Sequence, residues 1–212
     1  PEERVEACKE RYQVGYDVLR QERYKRLKEM GLVGSKAELP IHRKEYKKQA
    51  RPSWDSLDSA MKEKWIKEMA TYAAMIEIMD DGIGDVVEAV KKKGEFDNTL
   101  FVFLSDNGAT SEGGLISQLA ADLSNTPYRS YKAKTFMGGI SSPLIIQYPK
   151  TTGHVAGELR ADYTHIVDIL PTCLDLAGIK YPSTFNGIGI APSDGISVVP
   201  AVRNVALPTR DF

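Results

Sequence analysis

Two hard oxygen donors stand side by side in FVFLSDNGATSEGG, residues 101–114: the carboxylate of Asp106 and the side-chain amide of Asn107. Together they suit Ca²⁺ or Mg²⁺ rather than a thiolate- or imidazole-seeking metal. Neighbours within a strand point to opposite faces, so both can reach one ion only if the backbone has already turned, and Gly108 permits a turn. Asn-Gly is also a common turn dipeptide, and on these residues alone a plain turn is the stronger reading. The other polar candidates point to structure. His165 and Asp168 are three apart and read as a structural pair or a cap. Asp80 and Asp81 fall inside a long helical pattern and read as packing or loop-bonding residues. His42 and His154 lie in polar loops.

The elements that must position the Asp-Asn pair follow from periodicity. LFVFL, residues 100–104, is a continuous apolar run, as in a strand buried on both faces. SPLIIQYP, residues 142–149, is a second such strand, ended by Pro149. Between about Asp58 and Lys93, the residues Met69, Tyr72, Ile76, Met79, Ile83, Val86 and Val90 repeat at spacings of three and four, a one-faced amphipathic helix. Lys91–Lys93 and Gly94 form its solvated end. Gly82 and Gly84 inside it suggest close packing or a bend. Residues 1 to about 33 read as helical, with Tyr12, Tyr16, Leu19, Leu27 and Met30 on one face and Gly31 as the stop. Residues 34–57 form a polar connection with Pro40 and Pro52. Residues 162–178 read as a helix with Pro171 in its first turn and Gly178 at its C-cap. The chain beyond Gly187 reads as loop. Helices alternating with buried strands give an α/β layered domain, and ligands in such sheets collect at the carboxyl ends of strands, where Asp106 stands.

Bulk properties narrow the classes. Lys plus Arg number 28 and Asp plus Glu 29 over 212 residues, without the basic excess of a nucleic-acid binder. No apolar run is long enough to span a bilayer, so neither nucleic acid nor membrane is an expected partner. Cys8 and Cys173 are far apart and outside any CxxC pattern, which argues against a disulfide framework or a zinc site. The compartment is undetermined.

Three stretches together resemble the sulfatase family, bacterial arylsulfatases in particular: YAAMIEIMDDGIGDVVEAVKKKGEFDNTLFVFLSDNGA, YKAKTFMGGISSPLIIQYP and THIVDILPTCLDLAGI. GYDVLRQERYKRLKEMGLV is similar to the same enzymes. The resemblance covers nearly the whole chain in order. It implies an alkaline-phosphatase-like α/β fold, present in part, and hydrolysis of sulfate esters. It implies that Asp106 and Asn107 bind calcium (with magnesium possible) and that Lys132, six residues before the Gly138–Gly139 pair, contacts the sulfate, with Lys134 as the solvated neighbour. It also implies a formylglycine nucleophile made from a Cys/Ser-x-Pro-x-Arg motif. No such motif is present here, nor are the paired aspartates that complete the family's metal site. Met137 and Ser141 replace an acidic residue and an arginine of the family pattern. The expectation is therefore a partial catalytic domain over residues 1–212: helical entry and linker at 1–57, long helix and strand at 58–104, then metal loop, lysine segment, strand and helix at 105–212. Alone it should be inactive, with the missing N-terminal part and a sulfate ester as partners. The alternatives are a phosphodiesterase or phosphonate hydrolase of the same superfamily, whose members carry Asp-His where Asp106-Asn107 stands, and a catalytically inactive binding or structural module.

Overall fold

The computed structural model describes residues 1–40, 52–113, 115–150 and 157–210, so His42 and His154 lie outside the described residues. The chain forms two compact units, Pro1–Ala89 with Leu104–Pro143, and Val90–Phe103 with Leu144–Phe212.

The first unit is mainly helical. The expected single N-terminal helix is two helices, α1 (Glu2–Gln13) and α2 (Tyr16–Glu29), broken at Gly15. Gly15 has φ +93°, and a Cβ there would stand 2.4 Å from the Trp54 ring. Trp54 stacks on Tyr16 with centroids 4.4 Å apart. The buried indole thus demands a glycine and ends the first helix. The Tyr16 hydroxyl donates to the Trp65 carbonyl at 2.8 Å, and burial raises its pKa.

Helix α3 runs Ser59–Lys92, close to the span its pattern predicts. Asp58 caps it by accepting from the Met61 N–H at 2.7 Å. Gly94, at φ +73°, follows its end. Of the large apolar stripe it fully buries Met69 alone. Met69, Ala70, Ala73 and Ala74 are buried in the core with Cys8, Tyr12, Tyr16, Trp54, Leu119 and Leu123. Tyr72, Ile76, Met79, Ile83 and Val86 are exposed. The small alanines let the neighbouring helices approach closely and leave the bulky stripe outward. A Cβ on Gly82 or Gly84 would meet nothing within 4 Å, so close packing does not explain them among the described residues. Asp81 pairs with Arg4 at 2.5 Å, both well exposed.

Helix α4 (Leu115–Ser124) was not anticipated from the sequence. Leu119 and Leu123, one turn apart, enter the core, and α4 packs on α2.

In the second unit, strands β1 (Phe101–Leu104) and β2 (Leu144–Gln147) pair. They are not buried on both faces as the apolar runs suggest. Phe103 and Ile145 are exposed, because no second layer covers them among the described residues. Residues 162–165 are not helical. Beyond the four-residue α5 (Met137–Ile140), a short 3₁₀ turn at Ile166–Asp168 leads into α6 (Ile169–Ala177), and Gly178 at φ +68° caps it. His165 and Asp168 form a reciprocal cap: the Val167 N–H donates to His165 Nδ1 at 3.3 Å, and the His165 N–H donates to Asp168 Oδ2 at 2.8 Å.

The segment beyond Gly187 is not all loop. Strands β3 (Thr184–Phe185) and β4 (Ile188–Gly189) form an antiparallel hairpin, and α7 spans Val199–Val202. Asn186 and Gly187, both at positive φ, make the hairpin's two-residue turn, the conformation that Asn-Gly favours.

Candidate functional site

Strand β1 ends at Leu104, and the backbone bends through Asp106, Asn107 and Gly108. Asp106 is exposed and Asn107 half-buried. The Ser105 hydroxyl donates to the Asn107 carbonyl at 2.8 Å, which tightens the bend.

Gly108 is buried, and its role differs from the one its sequence context suggests. It has no left-handed φ. It is required by contact: a Cβ there would stand 1.7 Å from the Gly138 carbonyl oxygen. Its N–H donates to the Gly139 carbonyl at 3.0 Å. Gly138 and Gly139 are equally crowded. Added Cβ atoms would stand 2.0 Å from the Ser130 carbonyl oxygen and 2.0 Å from that of Lys134. The glycine pair forms the middle of α5 (Met137–Ile140), and the Gly138 N–H donates to the Arg129 carbonyl at 2.8 Å. The guanidinium of Arg129 lies 4.0 Å from the centroid of the Phe136 ring.

A second link ties the loops together. The Lys132 N–H donates to the Ala109 carbonyl at 3.0 Å. Lys132 is exposed and Lys134 is half-buried. Ala133 between them has φ +66°, and Ser130 has φ +72°. Such conformations are costly for residues with a Cβ and persist only where surroundings impose them. The bonds from Lys132 to Ala109 and from Gly108 to Gly139 are such surroundings.

Asn125, just past the end of α4, was not singled out by the sequence. Its Oδ1 accepts from the Ala109 N–H at 3.0 Å, and its Nδ2 donates to the Ser130 carbonyl at 3.1 Å. One side chain therefore touches both loops. The only cue in the sequence is an Asn in SNTP, which also reads as an ordinary turn.

The donor set fits a hard cation in kind but not in number. Among the described residues, no group of three or more His, Cys, Asp and Glu side chains could hold a metal. Asp106 and Asn107 offer two of the six to eight oxygens that calcium takes. Of the remaining candidates, Asp168 belongs to a cap and Asp81 to a surface ion pair. Among the described residues, no helix is long and apolar enough to cross a membrane.

A family model described as Sulfatase matches residues 7–179. An uncharacterised sulfatase of Schizosaccharomyces pombe is 31% identical over 86% of this chain and 37% of its own length. An arylsulfatase of Klebsiella aerogenes is 30% identical over 93% of this chain and 47% of its own length. The human N-acetylgalactosamine-6-sulfatase is 35% identical over 58% of this chain and 23% of its own. A solved protein structure in complex with its substrate, D-glucosamine-2-N,6-O-disulfate, aligns at 29% identity and a TM-score of 0.49, over 74% of this chain and 27% of that one. The chain thus spans less than half the length of these relatives.

Proposed function

This chain belongs to the sulfatase family, and from that premise we propose that it is part of a sulfuric ester hydrolase of arylsulfatase type, in which Asp106, Asn107 and Lys132 meet the sulfate group. The observation that carries this reading is the backbone clamp. Bonds from Gly108 to Gly139 and from Lys132 to Ala109 bring the Asp-Asn bend and the lysine loop together within one unit. A carboxylate and an amide oxygen on one loop and a lysine on the loop bonded to it are in kind a fitting set for a cation and the anion it holds. Calcium bound by Asp106 and Asn107 would supply Lewis-acid polarisation of a sulfate oxygen. Lys132 would bind the sulfate and balance negative charge as it builds in the transition state. Polypeptide outside these residues would supply the formylglycine nucleophile and the remaining metal ligands. On this reading the isolated chain lacks its nucleophile and turns over no sulfate ester.

The test is nitrophenol release from 4-nitrophenyl sulfate by two products: the 212-residue chain, and the chain joined to the upstream part of its reading frame. The expected result is activity only in the longer product. There, Asp106→Ala and Lys132→Ala should each lower kcat/KM about 10²–10³-fold. Metal-dependent turnover by the 212-residue chain, abolished in Asp106→Ala, would put the nucleophile inside these residues and overturn the division of labour. A longer product that cleaves phosphodiesters or phosphonates but not sulfates would overturn the sulfate reading.

A further inference from the structure

The carboxyl-terminal end of α4 is a fixed point. Arg23 of α2 donates from one guanidinium nitrogen to the carbonyls of Leu123 and Ser124, at 2.8 and 3.1 Å. Asn125 follows directly. Its own N–H donates to the Ala121 carbonyl at 2.9 Å, and its carbonyl accepts from the Tyr128 N–H at 2.8 Å. Its backbone is therefore held from both sides before its side chain does anything.

That side chain spends both polar atoms on the two loops of the candidate site. The oxygen takes the Ala109 N–H and the nitrogen takes the Ser130 carbonyl. Because one partner is a donor and the other an acceptor, the amide can sit only one way round. Ala109 also accepts from the Lys132 N–H through its carbonyl. A chain of bonds thus runs from Ser130 through Asn125 to Ala109 and on to Lys132. Ser130 is held at φ +72°, and its carbonyl is the atom that crowds Gly138.

We infer that Asn125 is a positioning residue: anchored through α4 and Arg23, it sets the distance between the Asp106–Asn107 bend and the Lys132 loop. The inference rests on reading Asp106, Asn107 and Lys132 as the groups that meet cation and sulfate. Asn125 touches neither. It acts through Ala109 and Ser130. An aspartate could still accept from the Ala109 N–H but would face the Ser130 carbonyl without a donor. An alanine would lose both contacts.

Two measurements test this. The first is amide hydrogen exchange of the 212-residue chain. In Asn125→Ala, exchange at Ala109 and Lys132 should quicken about fivefold or more, while the amides of α1, α2 and α3 keep their rates. Asn125→Asp should restore protection at Ala109. Unchanged exchange at Ala109 and Lys132, or quickening spread equally through α1–α3, would overturn the inference, the latter by showing a general structural role. The second is steady-state kinetics of the longer product. Asn125→Ala should lower kcat about 10–100-fold and move KM less than about threefold, as misplacement of reacting groups does. Unchanged kcat in an otherwise active enzyme would also overturn it. If the longer product shows no sulfatase activity even unmutated, the proposed function fails, and exchange alone then decides on Asn125.

Discussion

At Asp106 and Gly138, function and stability should come apart. Asp106 is exposed. Asp106→Ala should therefore leave the denaturant midpoint of the isolated chain within about 0.5 kcal/mol of its starting stability. Gly138 is buried against the Ser130 and Arg129 carbonyls, at 2.0 and 2.5 Å from where a Cβ would sit. Gly138→Ala should cost about 1–3 kcal/mol, because backbone rather than a flexible side chain must move. Urea titration of both variants checks the contrast, and equal effects would refute it. The Asp-Asn pair and the glycine pair were legible in the sequence, because short motifs advertise themselves. The reason for Gly108 was not, since a 1.7 Å approach to a carbonyl some thirty positions away leaves no local trace. Asn125 escaped for the same reason. Its partners lie at 109 and 130, and nothing in SNTP names them.

Among the elements, α6 carries the clearest dependence on pH. Asp168 is fully buried. Its carboxylate receives Arg210 at 2.6 and 2.8 Å and the N–H groups of Ile196 and His165. Burial alone would raise its pKa, but the bonds from Arg210, Ile196 and His165 outweigh it and hold the carboxyl below its ordinary value. A depressed folded-state pKa gives stability that is complete above the unfolded value, near 4, and disappears as pH falls through the folded one. Asp168→Asn should therefore cost about 3–5 kcal/mol at neutral pH, by removing the buried carboxylate charge that Arg210 and two backbone N–H groups bind. The gap to the parent chain should narrow below about pH 4. Denaturation midpoints measured from pH 7 down to pH 2 check this, and a gap independent of pH would refute it. Periodicity located α3 well because a helix's spacing is written in its own residues, whereas α6 starts only at Ile169, well inside the stretch read as helix from residue 162. Periodicity misjudged α3's buried face. The stripe of Tyr72, Ile76, Met79, Ile83 and Val86 is plain in the sequence, but what covers it is a property of other chain segments, and here the alanines took the inside. The break at Gly15 depended likewise on Trp54, far along the chain.

For the molecule as a whole, calcium is the informative ligand. Asp106 and Asn107 cannot fill a calcium shell, and no acidic cluster among the described residues adds to them. Calorimetric titration of the 212-residue chain should give a Kd weaker than about 10⁻⁵ M or no detectable heat, whereas tighter binding would reveal ligands beyond these two. The α/β character was legible, and so was the order α3, β1, β2, α6, whereas the break at Gly15, α4 and the elements between Thr184 and Val202 were not. The two-unit division was not, because it depends on which distant segments meet. The clamp also bears on how such a sequence can change over generations. Its bonds run between main-chain atoms: Gly108 to Gly139, Lys132 to Ala109, Gly138 to Arg129. Main-chain bonds are indifferent to the side chains they carry. Met137 and Ser141, where the family pattern has an acid and an arginine, sit inside this framework without breaking it. Selection can thus change these side chains while the main chain keeps the spacing between the Asp106–Asn107 bend and the Lys132 loop.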